Sequence, residues 1–252
     1  MPDSPHIDRA ATLLVEARRS RTLLDGLPVE ATPATIADAH AIQDAVTAGL
    51  GKPVGAFKAM APPNGEPTRG VIYADTIHAS PARVPVAAVP QCGVEGEVAF
   101  VFRRDLPPRA EPYTADEVAD AVEACAAIEL VTSRYRDSDT VSNLVKLADC
   151  ISNGAFVHAA PLRNWRGLEL GKLKVTLTVN GTPVLEQVGG HATGDPFGIA
   201  VVLVNMMREK GGVRAGQHVT CGTYTGLKYL QPGDVCGVRF EGLGAAEVTF
   251  TR

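Results

Sequence analysis

The chain of 252 residues has no surplus of basic charge: 24 Lys and Arg stand against 28 Asp and Glu, a formal charge of −4. A nucleic-acid backbone calls for a concentrated basic footprint, so nucleic acid is not an expected partner. No stretch of about 18 apolar residues runs without polar interruption, and Met1-Pro2-Asp3-Ser4-Pro5 has neither the basic nor the apolar region of a leader. A cytoplasmic protein with no membrane partner is expected. The five cysteines, Cys92, Cys125, Cys150, Cys221 and Cys236, are odd in number, widely spaced and never arranged C-x-x-C, which excludes a disulfide frame and a thiolate zinc site. They read as small buried hydrophobes. There is no G-x-G-x-x-G after a strand, no Walker A loop, no H-E-x-x-H and no G-x-S-x-G elbow, so dinucleotide, ATP, zincin and serine-hydrolase chemistry lack support.

What is present is an ordinary globular composition, 45% hydrophobic and 21% charged, with 25 Gly and 18 Pro. That turn-rich balance disfavours a helical bundle. Residues 6–50 predict two helices, with Leu13, Leu14 and Ala17 on the inner side of the first and Ile36, His40, Gln43 and Val46 on that of the second; Thr32-Pro33 supplies an N-cap and first-turn proline. Residues 53–90 break into short strands around the loop 61–67. A strand over 94–102 precedes Thr114-Ala115-Asp116-Glu117, a capping box opening a helix to about Ala127, with an apolar strand at 128–131. Residues 134–147 read as a polar segment with a short helix, and the sheet resumes at 154–159. Alternation over 173–179, then Asn180-Gly181, then 182–185 predicts a hairpin. Asp195-Pro196 opens a helix to Lys210, and three strands follow at 217–221, 234–240 and 246–250. No linker is visible, so one β-dominated domain over 1–252 is expected, with 1–50 a helical lead and 51–252 the catalytic core.

The chemistry concentrates in carboxylates. Glu95 and Glu97 lie two apart in Val94-Glu95-Gly96-Glu97-Val98-Ala99-Phe100, and period-two geometry sets both on one face of a strand. Like charges so placed repel unless a cation lies between them, and hard divalent ions prefer oxygen donors. Glu129, in Ile128-Glu129-Leu130-Val131, is a third acid among apolar neighbours. Lys58, in Gly55-Ala56-Phe57-Lys58, is a lone cation in a small and apolar run; near a metal and partly desolvated, its pKa would fall and it could exchange protons near neutrality. Asp75 is a candidate partner for it. Pattern alone equally accommodates a solvent-facing acid pair, Glu129 paired with a base, a surface Lys58 and a turn-forming Asp75.

These stretches, with Ala39-His40-Ala41-Ile42-Gln43, Ala148-Asp149-Cys150-Ile151-Ser152-Asn153-Gly154 and Cys221-Gly222-Thr223-Tyr224-Thr225-Gly226, resemble in order and spacing the fumarylacetoacetate hydrolase superfamily, in its 2-keto-4-pentenoate hydratase and 4-oxalocrotonate decarboxylase branch. The resemblance runs from the second helix to the C-terminus. It implies an α+β fold, a mixed β-sandwich roll with peripheral helices and a helical N-terminal lead. It implies Mg²⁺ or Mn²⁺ held by Glu95, Glu97 and Glu129, Lys58 as acid/base with Asp75 beside it, and Ser152 lining the substrate pocket. It implies a homo-oligomer, able to associate with a related hydratase or decarboxylase, hydrating 2-hydroxypenta-2,4-dienoate-type acids to 4-hydroxy-2-oxo acids in aromatic catabolism. The chain departs from the branch at Thr132, where an aspartate is usual, at Cys150-Ile151 in place of Asn-Ala, and at His40 in place of Tyr. A 4-oxalocrotonate-type decarboxylase, an acylpyruvate-type hydrolase and an inactive partner subunit are the competing expectations. The hydrolase needs a His-carboxylate pair, and none of the six histidines lies in H-x-x-E. The inactive subunit is disfavoured because all three acids and Lys58 are present.

Overall fold

A computed structural model describes residues 5–252; Met1–Ser4, part of the leader reading above, lie outside the described residues. The helical lead consists of α1 (Pro5–Ser20) and α2 (Ile36–Leu50). Leu14, Ala39, Ile42 and Val46 pack there into a small core with Tyr135, Val145 and Leu147. The cap of α2 is Thr35, not Thr32: Thr35 Oγ1 accepts the Asp38 N–H and Asp38 Oδ2 accepts the Thr35 N–H. This reciprocal pairing at three-residue spacing satisfies two end donors, which Thr32-Pro33 has no acid in place to do.

Strands β1 (Val54–Met60), β2 (Thr68–Tyr73), β3 (Ile77–Ala79), β4 (Ala82–Pro85) and β5 (Gly93–Phe102) follow. The capping box at Thr114 and Glu117 opens α3, but that helix ends at Ala119, and β6 runs over Val122–Val131. The helix expected to reach Ala127 is therefore corrected. Ala-rich sequence favours helix locally, yet β6 is the inner strand between β5 and β7 (Asn153–His158). A strand buried on both faces reads as one continuous apolar run. Between β6 and β7 lies α4 (Asn143–Ala148). Next come β8 (Lys174–Val179) and β9 (Thr182–Val188), α5 (Pro196–Met207), β10 (His218–Thr223), β11 (Lys228–Tyr229), β12 (Val235–Phe240) and β13 (Gly244–Thr251). At the β8–β9 turn Asn180 and Gly181 both take positive φ, 51° and 79°, as the tight hairpin requires.

Two sheets result. One has the order β2-β1-β10-β5-β6-β7-β3, with β11 added beside β5; the other is β4-β13-β12-β8-β9. The first curls so that β2 packs back against β7. Its outer face carries Val94, Val98 and Phe100 of β5 into the large core shared with Val238, Phe240 and Val248 of the second sheet, where each buried Phe contributes roughly 1.5–3 kcal/mol. Gly96 marks the closest approach: a Cβ there would lie 2.6 Å from Val238 Cγ2 and 2.9 Å from Thr225 Cγ2. The inner face is narrow and lined by small residues, Ala56, Ala99, Cys125 and Ala127, with Ile72 and Phe156. All five cysteines are buried and free. Among the described residues no helix is long and apolar enough to cross a membrane.

Candidate metal and acid/base centre

Alternation along β5 puts Glu95, Glu97 and Ala99 on the inner face, and the β5–β6 register sets Glu95 directly opposite Glu129. Among the described residues the group Glu95, Glu97 and Glu129 offers ligand atoms all within 4.8 Å of one another. Glu97 and Glu129 are buried to 1% and 0% exposure, and Glu95 is half-buried. Burial and the Glu129 and Glu95 charges push the Glu97 carboxyl up to about 8. Burial chiefly raises Glu95 as well. Three clustered carboxylates, two of them fully buried, carry a surplus negative charge that is costly unless a cation joins them, and an all-oxygen set fits a hard divalent ion that keeps part of its water. By donor chemistry and charge, the residues present fit such an ion.

Two of the three carboxylates are held from behind. Glu97 Oε2 accepts from the Thr220 hydroxyl and from the Gly222 N–H at 3.0 Å, and Glu129 Oε1 accepts from Asn153 Nδ2 at 2.9 Å. His191 supports the Gly222 bend, its Nε2 lying 2.7 Å from the Cys221 carbonyl and its ring beside Tyr224. It is therefore a buried hydrogen-bonded histidine.

Lys58 lies across the register from Thr220 and Gly70. Its Nζ is 2.8 Å from Glu129 Oε2 and donates to the Ile151 carbonyl at 3.3 Å. A lowered lysine pKa is the expectation beside a metal; the protein alone shifts it the other way. Burial lowers it, but the Glu129, Glu95 and Glu97 charges more than offset this and hold the ammonium above its ordinary value. Gly70 is what lets the chain close over the lysine, since a Cβ there would sit 2.8 Å from the Cys150 carbonyl oxygen and 3.0 Å from Lys58 Cγ.

The cover over Lys58 is an unusual turn. Cys150, Ile151 and Ser152 take φ of 56°, 54° and 58° in succession. A β-branched residue in the left-handed region is a true outlier, and such residues cost on the order of 1–3 kcal/mol each, persisting only where their surroundings hold them. Here Arg134 spans the turn: Nη2 donates to the Asp149 carbonyl at 3.0 Å, Nη1 to the Asn153 carbonyl at 2.8 Å, and Nε to both Asp149 carboxylate oxygens. The Thr132 N–H donates to the Ser152 carbonyl at 2.9 Å. Ser152 thus belongs to the half-buried turn beside Lys58.

Asp75 is placed elsewhere. Beyond the end of β2, it pairs with Lys52 at 2.6 Å with half its side chain exposed. The register puts Tyr73 opposite Val54 and Gly70 opposite Lys58, so Asp75 follows the far end of β1, roughly 13 Å along the strand from Lys58. The expected Lys58–Asp75 pair is corrected to Lys58–Glu129. Arg69, on β2, is 2% exposed and pairs with Asp44 at 2.5 Å, while its N–H donates to His40 Nε2. Thr220 and Asn153 were missed by the sequence reading; their one signal is a polar side chain on an otherwise apolar strand.

Residues 45–251 match the family model described as fumarylacetoacetate (FAA) hydrolase C-terminal. The chain is 30% identical over 187 residues to a 2-keto-4-pentenoate hydratase of Paraburkholderia xenovorans, covering 73% of this chain and 68% of that protein. It is 28% identical over 263 residues, all of both chains, to a 2-keto-4-pentenoate hydratase of Paraburkholderia phymatum. In structure it is similar to the 4-oxalocrotonate decarboxylase from Pseudomonas putida G7 complexed with calcium and acetate, with a TM-score of 0.82, 20% identity and 99% of each chain covered.

Proposed function

The chain belongs to the fumarylacetoacetate (FAA) hydrolase C-terminal family, and from that premise we propose that it is a metal-dependent hydratase. Its substrate is a 2-hydroxypenta-2,4-dienoate-type acid and its product a 4-hydroxy-2-oxo acid, the activity for which its relatives near 30% identity are named. The observation that carries the reading is the buried trio of carboxylates closing on Lys58. Glu95, Glu97 and Glu129 would hold Mg²⁺ or Mn²⁺. When bound, such an ion is a Lewis acid that takes up a 2-oxo or 2-hydroxy acid and stabilises negative charge on its oxygens.

The protein supplies the rest. Thr220 and Gly222 fix the Glu97 carboxylate and Asn153 that of Glu129, so that little reorganisation accompanies charge development. Lys58 Nζ holds a proton against Glu129 Oε2, the Ile151 carbonyl fixing its direction. In the proposed sequence Lys58 passes a proton to the terminal carbon of the dienol while the enol oxygen releases its own to water, from which Lys58 is reprotonated, giving the conjugated 2-oxo-3-enoate. Water then adds its oxygen at C4 and its proton at C3. Ser152, in the turn beside Lys58, lines the pocket. We place the enzyme in the cytoplasm as a homo-oligomer.

The test is an ultraviolet assay of 2-hydroxypenta-2,4-dienoate and, separately, 2-oxohex-3-enedioate, each with Mg²⁺ or with excess EDTA, following absorbance and CO₂. Mg²⁺-dependent loss of the dienol without CO₂ is expected. Release of CO₂ from the diacid, with the dienol untouched, would make the protein a decarboxylase instead.

A further inference from the structure

Behind the turn 149–153 lies a cavity of about 600 Å³ between α1, the end of β2 and the segments 87–91 and 132–134; it shares Asn153 with the carboxylate centre, where the Asn153 side chain donates to Glu129. Its charge is opposite to that of the carboxylate centre. Arg18 and Arg134 both line it, and both rest on one carboxylate: Arg18 Nη2 is 3.0 Å and Arg134 Nε 2.6 Å from Asp149 Oδ1. One Asp cannot neutralise two guanidinium groups, so this wall keeps a positive surplus in a low-dielectric setting. Arg21, exposed on the rim, has no acidic partner among the described residues. Lys52, by contrast, is neutralised by Asp75. Arg18 Nε is buried with no hydrogen-bond partner among the described residues, a donor left over in a native interior, where nearly all are used.

Beside the arginines part of the lining is apolar. The Tyr73 ring lies under the Arg18 guanidinium at 5.6 Å, and Leu50 and the 39%-exposed Leu23 complete it. The volume is that of a small-molecule site, with an apolar body and a few convergent polar groups. We propose that this cavity is a second ligand site, distinct from the carboxylate centre, for a small carboxylate with a flat apolar body. The acid group sits against Arg18 and Arg21, and the body lies on Tyr73 and Leu50. The site requires no metal, and the proposal stands apart from the reaction assigned above.

The test is calorimetric titration of the full chain with benzoate and, separately, inorganic phosphate, in excess EDTA and then in Mg²⁺, for wild type, Glu97→Gln and Ala88→Trp. Ala88 is exposed on the cavity rim, so an indole there fills the space without disturbing the core. The expected result is one benzoate per chain, with Kd of about 1 mM or below, in EDTA as in Mg²⁺ and in Glu97→Gln as in wild type, weakened at least about tenfold by Ala88→Trp, and phosphate bound at least about tenfold more weakly. Benzoate binding that needs Mg²⁺ or vanishes in Glu97→Gln would place the acid at the carboxylate centre and overturn the proposal. So would phosphate binding as tight as benzoate, binding indifferent to Ala88→Trp, or no binding.

Discussion

Two buried charge clusters flank one turn and have opposite signs. On the Lys58 side three carboxylates meet one ammonium; on the Arg18 side two guanidinium groups meet one carboxylate. Both depart from neutral pairing, and a buried charge without its counterpart is expensive. The difference teaches that the sign of a buried surplus names the missing ligand, a cation among the glutamates and an anion beside the arginines. The turn itself links them. Asp149 and the Asn153 carbonyl face the arginines, while the Ile151 carbonyl and the Asn153 side chain meet Lys58 and Glu129.

The largest break in this contrast comes from Glu97→Gln, which removes a ligand without changing volume. Turnover with Mg²⁺ should fall about 10³-fold or more, the several kcal/mol that a Lewis acid supplies. Stability in EDTA should move the other way. The folded carboxyl titrates at about 8, above the 4.5 of a free glutamate, so the folded state binds the extra proton between these values, and stability falls as pH rises through that window. Denaturant melts of the metal-free wild type should lose a few kcal/mol from pH 5 to pH 8, and Glu97→Gln should flatten the slope. A slope unchanged in the variant would remove Glu97 as its source.

Lys58→Met tests the other half of the same cluster. With the ammonium gone, turnover should drop roughly 10²- to 10³-fold, while the three carboxylates still take up Mn²⁺, measurable by paramagnetic relaxation of water. Full activity in the variant would remove Lys58 as acid/base. On the opposite side of the turn, Asp149→Asn leaves Arg18 and Arg134 buried without a carboxylate and should cost about 3 kcal/mol of stability, read from urea unfolding. A loss below about 0.5 kcal/mol would show that the arginines relax to water and that the surplus is not a buried one.

The two clusters were unequally legible in the sequence. Glu-x-Glu inside an apolar strand sets both acids on one face through period two, and Glu129 and Lys58 stand out as lone charges in apolar runs, but it is the family resemblance that joins them into one centre. The fold was legible for the same reason: the 173–185 hairpin carries its own turn residues, and the family resemblance covered the β core. The arginine cluster has no such local pattern. Arg18 and Asp149 are 131 positions apart, and nothing in Arg18-Arg19-Ser20-Arg21 separates a buried guanidinium from exposed ones. Nor does Cys150-Ile151-Ser152 contain the glycine that usually marks left-handed backbone, because the conformation is imposed by Arg134 and Gly70 from outside. Asp75 failed for a related reason. Proximity in sequence to β2 did not reveal that the register carries it to the Lys52 end.

Asn153→Ala is the finest probe, because Asn153 is the one residue of the cavity lining whose side chain touches one of the three glutamates. Its backbone carbonyl still accepts from Arg134 in the variant, so the turn keeps its clamp, and what is lost is the hydrogen bond to Glu129 Oε1 and a long one to the Ala155 carbonyl. A supporting residue of this kind changes metal affinity by about 10- to 100-fold. Lys58 continues to pair with the other oxygen of Glu129, which places the expected weakening of Mn²⁺ binding near the lower end, about tenfold. Benzoate affinity in EDTA should stay within about twofold of wild type, the scale of a surface change of a few tenths of a kcal/mol. If metal and benzoate weakened together, the turn would be moving as one body and the two clusters would be a single coupled site. If only the metal weakened, Asn153 serves the glutamates alone, and the two surpluses are held independently on either side of a rigid turn.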